Sequence, residues 1–172
     1  ILVAFIGKLF GPSLLLARIA TAVFSLAAFY FSIRILKLTG TPVYYALGIL
    51  FYPYFFNNSF VFYVINFGLF FFLWAFYLLR KRDTRPGYFS DFFIGFLLSM
   101  AILCQQFYLI IPVAIIIHRF LRLMGHRQEW NLAAIRQFAL SSFLLAIPLA
   151  LPAALFIKWG GLTHPNFNVH SL

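Results

Sequence analysis

Residues 60–105 read FVFYVINFGLFFFLWAFYLLRKRDTRPGYFSDFFIGFLLSMAILCQ. Two apolar runs, each close to the length of about 20 residues that crosses a bilayer core, flank a short connection. That connection holds Arg80, Lys81, Arg82 and Arg85, with Pro86-Gly87 opening the second run. A basic turn between two apolar runs is the unit from which multi-pass membrane proteins are built, because cytoplasmic connections retain Lys and Arg.

The same unit repeats along the chain in both directions. Of 13 Lys and Arg, 10 fall in three segments: Arg34 with Lys37, the 80–85 turn, and Arg119, Arg122, Arg127 and Arg136. The intervening connections are nearly free of charge. Composition agrees, with 64% hydrophobic residues, 9% charged and a mean hydropathy of +0.97, far from the balance of a soluble domain. A net charge of +10 would suit nucleic acid, but the charges sit at helix ends with no basic recognition face, so anionic lipid headgroups are the simpler partner. The single cysteine, Cys104, lies in an apolar run and cannot pair within the chain. The chain opens at Ile1 inside an apolar stretch, as expected of a piece of a longer protein.

The expected fold is all-α: a polytopic transmembrane helical bundle of about six spans, forming a single domain over residues 1–172. The spans cover about 13–36, 43–56, 60–79, 88–105, 107–117 with a basic helical end through 123, and 138–157. The second is short. The sixth contains Pro148 and Pro152, where a kink is expected. Threaded alternately, these spans put the three basic segments on one face, the cytoplasmic one by the positive-inside bias. Residues 57–59, Gln105-Gln106 and the tail from Trp159 to Leu172 fall on the extracytoplasmic face, and residues 124–135 form a polar connector along the cytoplasmic interface.

All three acidic residues, Asp83, Asp91 and Glu129, fall on the basic side. The opposite face therefore lacks a carboxylate, and of the groups suited to general-base work it retains the histidines His164 and His170. Its cations are Lys8, Arg18 and Lys158. Arg18, on the second turn of the first span, either binds headgroup phosphate or contacts a lipid-linked phosphate substrate. Asn66, inside the third span, either bonds to a neighbouring span or binds substrate. Gln105 and Gln106 either bind sugar hydroxyls or satisfy a tight turn. The tail from Lys158 through Trp159, Gly160-Gly161, His164, Asn166 and His170 is dense in hydrogen-bonding groups and reads as a site-lining loop, although plain loops share much of its composition. His164 and His170, with no acid nearby, have no metal-ligand spacing. No cofactor is identified, and a divalent cation has no support from spacing.

Gly11-Pro12-Ser13 through Arg18-Ile19-Ala20, Tyr52-Pro53-Tyr54-Phe55 with Asn57-Asn58-Ser59-Phe60, Tyr63 through Gly68, Gln105-Gln106, and Gly160-Gly161 with His170 together resemble motifs of the integral-membrane GT-C glycosyltransferases. Within that superfamily they look like the protein O-mannosyltransferase-like group and the dolichyl-phosphate-glucose alpha-1,2-glucosyltransferases. The chain departs from the pattern twice: the family's Asp is Asn66 and its Arg is Gln105. The resemblance implies transfer of a sugar from a polyprenyl- or dolichyl-phosphate donor to a hydroxyl of a glycan, lipid or protein acceptor, on the extracytoplasmic or lumenal face. It further implies a bacterial inner-membrane or endoplasmic-reticulum location, and a catalytic acid in a first external loop upstream of Ile1. Two other classes stand beside this one: a transporter or lipid flippase, to which the Pro148/Pro152 kink points, and a non-catalytic assembly subunit.

Overall fold

The computed structural model describes residues 14–48, 64–82, 88–125 and 132–159, which are helix and tight turn with no strand among them. Helix α1 is Leu14–Leu38, α2 is Val64–Arg82, α3 is Tyr88–Cys104, α4 is Ile110–Gly125, α5 is Leu132–Ala146 and α6 is Ala150–Trp159. Short 3-10 turns cover Val43–Ala46, Gln106–Leu109 and Ile147–Leu149. Leu15–Leu38, Gln106–Gly125 and Leu132–Trp159 are each long and apolar enough to cross a membrane; Phe89–Cys104 is apolar but shorter. These segments are compatible with an integral membrane protein.

Local sequence explains where the helices stop. Past Leu38, Gly40 takes φ 70°, and the Gly40 and Thr41 N–H groups donate to the Lys37 and Leu36 carbonyls at 3.4 and 3.0 Å. This is a Schellman cap, which needs a residue free to adopt left-handed backbone, and Pro42 then prevents resumption of the helix. In the last span, Pro148 has no N–H to return to the Leu144 carbonyl, and the helix tightens into the Ile147–Leu149 turn before α6 continues. The expected kink is therefore a one-turn 3-10 interruption.

Side-chain contacts fix the helix directions. Phe24 meets Phe67 and Phe70 with ring centroids 4.6 and 4.9 Å apart, and Phe31, further along α1, meets Trp74 and Tyr77, each at 5.6 Å. Contacts that advance together mean that α1 and α2 run the same way. Between α2 and α3 they advance oppositely: Gly68 faces Ala101 and Cys104, whereas Trp74 meets Phe93 at 5.4 Å. Helix α4 reverses again, with Ile111 beside Ala101, Ile102 and Tyr108 and Arg119 beside Asp91. Helices α5 and α6 run parallel to α3, with Leu145 against Gly95 and then Leu149 and Phe156 against the Ala101–Ile102 level.

Helix α3 is the centre of this arrangement. Its Ile94, Leu97, Leu98, Ala101 and Ile102 are buried against Ala75 of α2, Leu145 of α5 and the ring of Tyr108. Lipid gives apolar burial little weight in helix association, so for helices compatible with a membrane the contacts of small residues and polar groups matter most. Gly95 supplies such a contact: a Cβ built there would run into the Leu145 carbonyl oxygen, so the two backbones touch. The outward faces are apolar instead. Leu15, Ile19, Val23 and Leu26 stand exposed along α1, and Ile110, Val113, Ile117 and Leu121 along α4.

Candidate functional site

The helix directions gather the described cations unequally. One end of the bundle receives Arg34 and Lys37 from the end of α1, Arg80 and Lys81 from the end of α2, Arg119 and Arg122 from the far half of α4, and Arg136 from the start of α5. The other end receives Arg18 from α1 and Lys158 from α6, both exposed. Arg18 lies seven residues before Ser25 on α1, about 10 Å along the axis at 1.5 Å per residue.

Asn66 is 1% exposed, and its Nδ2 donates to Ser25 Oγ at 2.8 Å. Ser25 Oγ in turn donates to the Thr21 carbonyl at 2.8 Å, and Thr21 Oγ1 donates to the Ala17 carbonyl at 2.9 Å. The amide nitrogen is thus engaged in helix pairing across a seam of small residues, Thr21, Ser25, Ala28 and Ser32, all buried. Gly68, two residues on and about 200° around α2, faces the other way. A Cβ there would lie 2.9 Å from Tyr108 Cε2 and 3.2 Å from Cys104 Cβ. Asn66 and Gln105-Gln106 therefore share a level of the bundle but belong to opposite faces of α2.

Gln105 breaks the helix with extended backbone, φ −155° and ψ 121°. Its N–H still donates to the Ala101 carbonyl at 2.8 Å, and its carbonyl accepts from the Tyr108 N–H at 3.2 Å. The backbone at this turn is satisfied without the Gln105 side chain, whose Oε1 is buried with no hydrogen-bond partner among the described residues. An amide oxygen in that state can accept a hydrogen bond from a hydroxyl or an N–H. Gln106 begins the following 3-10 turn, half-buried. Lys158 lies in the last turn of α6. His164, Asn166 and His170 fall outside the described residues.

A second polar cluster lies at the basic end, and the sequence reading did not single it out. Asp91, fully buried in the first turn of α3, accepts from Arg119 Nη2 at 2.8 Å. Arg119 Nη1 lies 3.5 Å from both the carbonyl and the hydroxyl of Ser141 on α5. One guanidinium thus links α3, α4 and α5, and the helix dipole at the start of α3 further favours the carboxylate. A signal was present in the sequence, since Asp91 shares the i, i+4, i+7 stripe with Gly95 and Leu98 that faces the bundle interior.

Asp91 is the one carboxylate among the described residues, and it stands at the end opposite Arg18, Gln105 and Lys158. Among the described residues the latter end offers cations, amides and hydroxyls, which suit anionic and hydroxylated ligands. No three His, Cys, Asp or Glu among the described residues come together to hold a metal ion. No family model, no curated protein and no solved structure matches this chain.

Proposed function

We propose that this chain is the six-span part of a multi-pass membrane glycosyltransferase of GT-C type. It would move a sugar from a polyprenyl- or dolichyl-phosphate donor to an acceptor hydroxyl on the face opposite the basic end, in a bacterial inner membrane or the endoplasmic reticulum. The observation that carries the reading is the division of charge between the two ends of the bundle. The parallel course of α1 and α2 is what one further pass between them would give, and so supports the six-pass count. Positive-inside bias makes the basic end cytoplasmic. The opposite end then meets the donor's phosphate with Arg18 and Lys158 and the sugar with Gln105 and Gln106, and His164, Asn166 and His170 are further candidate contacts. A departing lipid phosphate gains negative charge as the glycosidic bond breaks, and a cation held nearby stabilises it most in the transition state.

The test is sugar transfer by the full-length protein in membranes, supplied with a panel of radiolabelled polyprenyl-phosphate sugars. Arg18→Gln with Lys158→Gln is expected to lower transfer at least tenfold, and His170→Ala to lower it while leaving expression intact. Wild-type transfer by the double variant removes the phosphate role of these cations. A second reading, a lipid flippase or other transporter, draws on the 3-10 interruption at Ile147–Leu149 within a membrane-length helix, a feature that transporters place at substrate sites. Absence of transfer from every donor, in a folded preparation, favours that reading or a non-catalytic subunit.

A further inference from the structure

We infer that the basic end of the α1–α2 pair is a binding site for the headgroup of an anionic phospholipid, built around the guanidinium of Arg34. This inference rests on residence in a membrane and is independent of sugar transfer. Arg34 Nη2 donates to the Tyr77 hydroxyl at 3.2 Å, bridging α1 and α2. The guanidinium carbon lies 6.0 Å from the Tyr30 ring centroid and 5.8 Å from that of Tyr77, so two phenol rings from different helices bracket one cation. Tyr77 also stacks obliquely on Phe31, with centroids 5.6 Å apart, which ties its ring to the body of the helix pair.

A guanidinium on a free surface is mobile, and ordering it costs side-chain entropy on binding. Here the rings and the hydroxyl hold it in advance. One of its five N–H donors serves Tyr77 and the group remains exposed, which leaves a planar fork matched to two phosphate oxygens. Lys81 lies one turn beyond Tyr77 on the same side of α2, and Lys37 one turn beyond Arg34 on the same side of α1. Arg80 adds a fourth exposed cation, its guanidinium 5.6 Å from the Phe76 ring.

A simpler account would make these cations complements to the negative ends of the α1 and α2 dipoles. That account explains why they are basic, but it does not call for an arginine bridged to a tyrosine of the neighbouring helix and flanked by two rings. Tyrosine rings at headgroup depth, with cations just beyond the apolar layer, match the interfacial belt of a spanning helix pair. The ligand chemistry is therefore an anionic phosphodiester presented at the cytoplasmic interface, and its source is a membrane lipid.

The experiment uses the purified full-length protein in neutral detergent, titrated with dioctanoyl-phosphatidylglycerol and, separately, dioctanoyl-phosphatidylcholine, with bound lipid counted by native mass spectrometry. Phosphatidylglycerol is expected to bind and phosphatidylcholine not. Arg34→Gln with Lys81→Gln is expected to weaken binding on the order of 25-fold, roughly fivefold for each charge removed near the surface. Arg122→Gln with Arg136→Gln, which removes two exposed cations from the same end but from other helices, should leave it within twofold. Arg34→Lys keeps the charge but loses the fork, and should weaken binding measurably; it also serves if the double variant fails to fold. Equal weakening by the two double variants would overturn the inference in favour of diffuse attraction. Equal binding of both lipids would overturn it too, as would displacement of phosphatidylglycerol by 10 mM inorganic phosphate, since the site would then recognise the ion alone.

Discussion

The seam between α1 and α2 and the seam between α3 and α5 meet the same demand in different ways. Both must bring helices together around polar groups that are buried from water. The α1–α2 seam uses short neutral side chains: Thr21 and Ser25 return their hydroxyls to their own helix, and Asn66 reaches across to Ser25 with a single amide bond. The α3–α5 seam uses direct backbone contact at Gly95 and an ion pair shared with α4. A neutral hydroxyl that loses its partner can bond back to the preceding turn. A buried charge has no such recourse, and a backbone in contact with another cannot yield. The first seam should therefore tolerate substitution and the second should not.

The largest expected effect is at the ion pair. Asp91→Leu leaves the Arg119 guanidinium in a largely buried site without its carboxylate, and should destabilise the protein by about 3–5 kcal/mol in a reversible unfolding titration in mixed micelles. Asp91→Leu combined with Arg119→Met should recover most of that loss, because two apolar residues leave no charge to satisfy. If the double variant is as unstable as the single one, the pair contributes specific geometry rather than mere neutrality. Gly95→Ala comes next, at about 1–3 kcal/mol, since its methyl group would meet a carbonyl of α5 that can move only with the helix. A melting temperature unchanged by this substitution would mean that α3 and α5 do not touch as described.

Smaller effects belong to the other seam. Asn66→Ala should cost about 1 kcal/mol, in the range of interhelical hydrogen bonds inside membranes, and Ser25→Ala about the same. Combined in a double-mutant cycle, the two should be strongly non-additive, whereas additivity would show that the amide and hydroxyl do not meet. Gly68→Ala should cost less than about 1 kcal/mol, because the nearest obstacle is the edge of the Tyr108 ring rather than backbone. A loss at Gly68 as large as that at Gly95 would erase the contrast between adaptable and rigid contacts.

Much of the fold was legible because the relevant forces are local or depend on composition alone. Residues 13–36 and 88–105, read from apolar run length, correspond closely to α1 and α3, and Thr39-Gly40-Thr41-Pro42 carries its stop signal openly. The Pro148 interruption follows from one missing N–H. The site was less legible. Asn66 could be weighed as an interhelical bond or a substrate contact, but the choice depends on which residue of another helix stands 2.8 Å away, and sequence order does not encode that. In the sequence Asp91 is simply an acid beside basic groups, because its partner is 28 residues distant and approaches only once α4 folds back.

By itself the sequence determined an all-helical chain with basic connections, the helix stops and the break at Pro148, since each depends on hydropathy or on backbone chemistry within a few residues. Only the tertiary structure decided that α1 and α2 run parallel, that Asn66 faces α1 while Gly68 faces α3, that Arg119 joins three helices at Asp91, and that Arg34 sits between two tyrosines. These depend on how helices rotate and approach one another. Here that choice is made by small-residue contacts and paired polar groups drawn from distant parts of the chain.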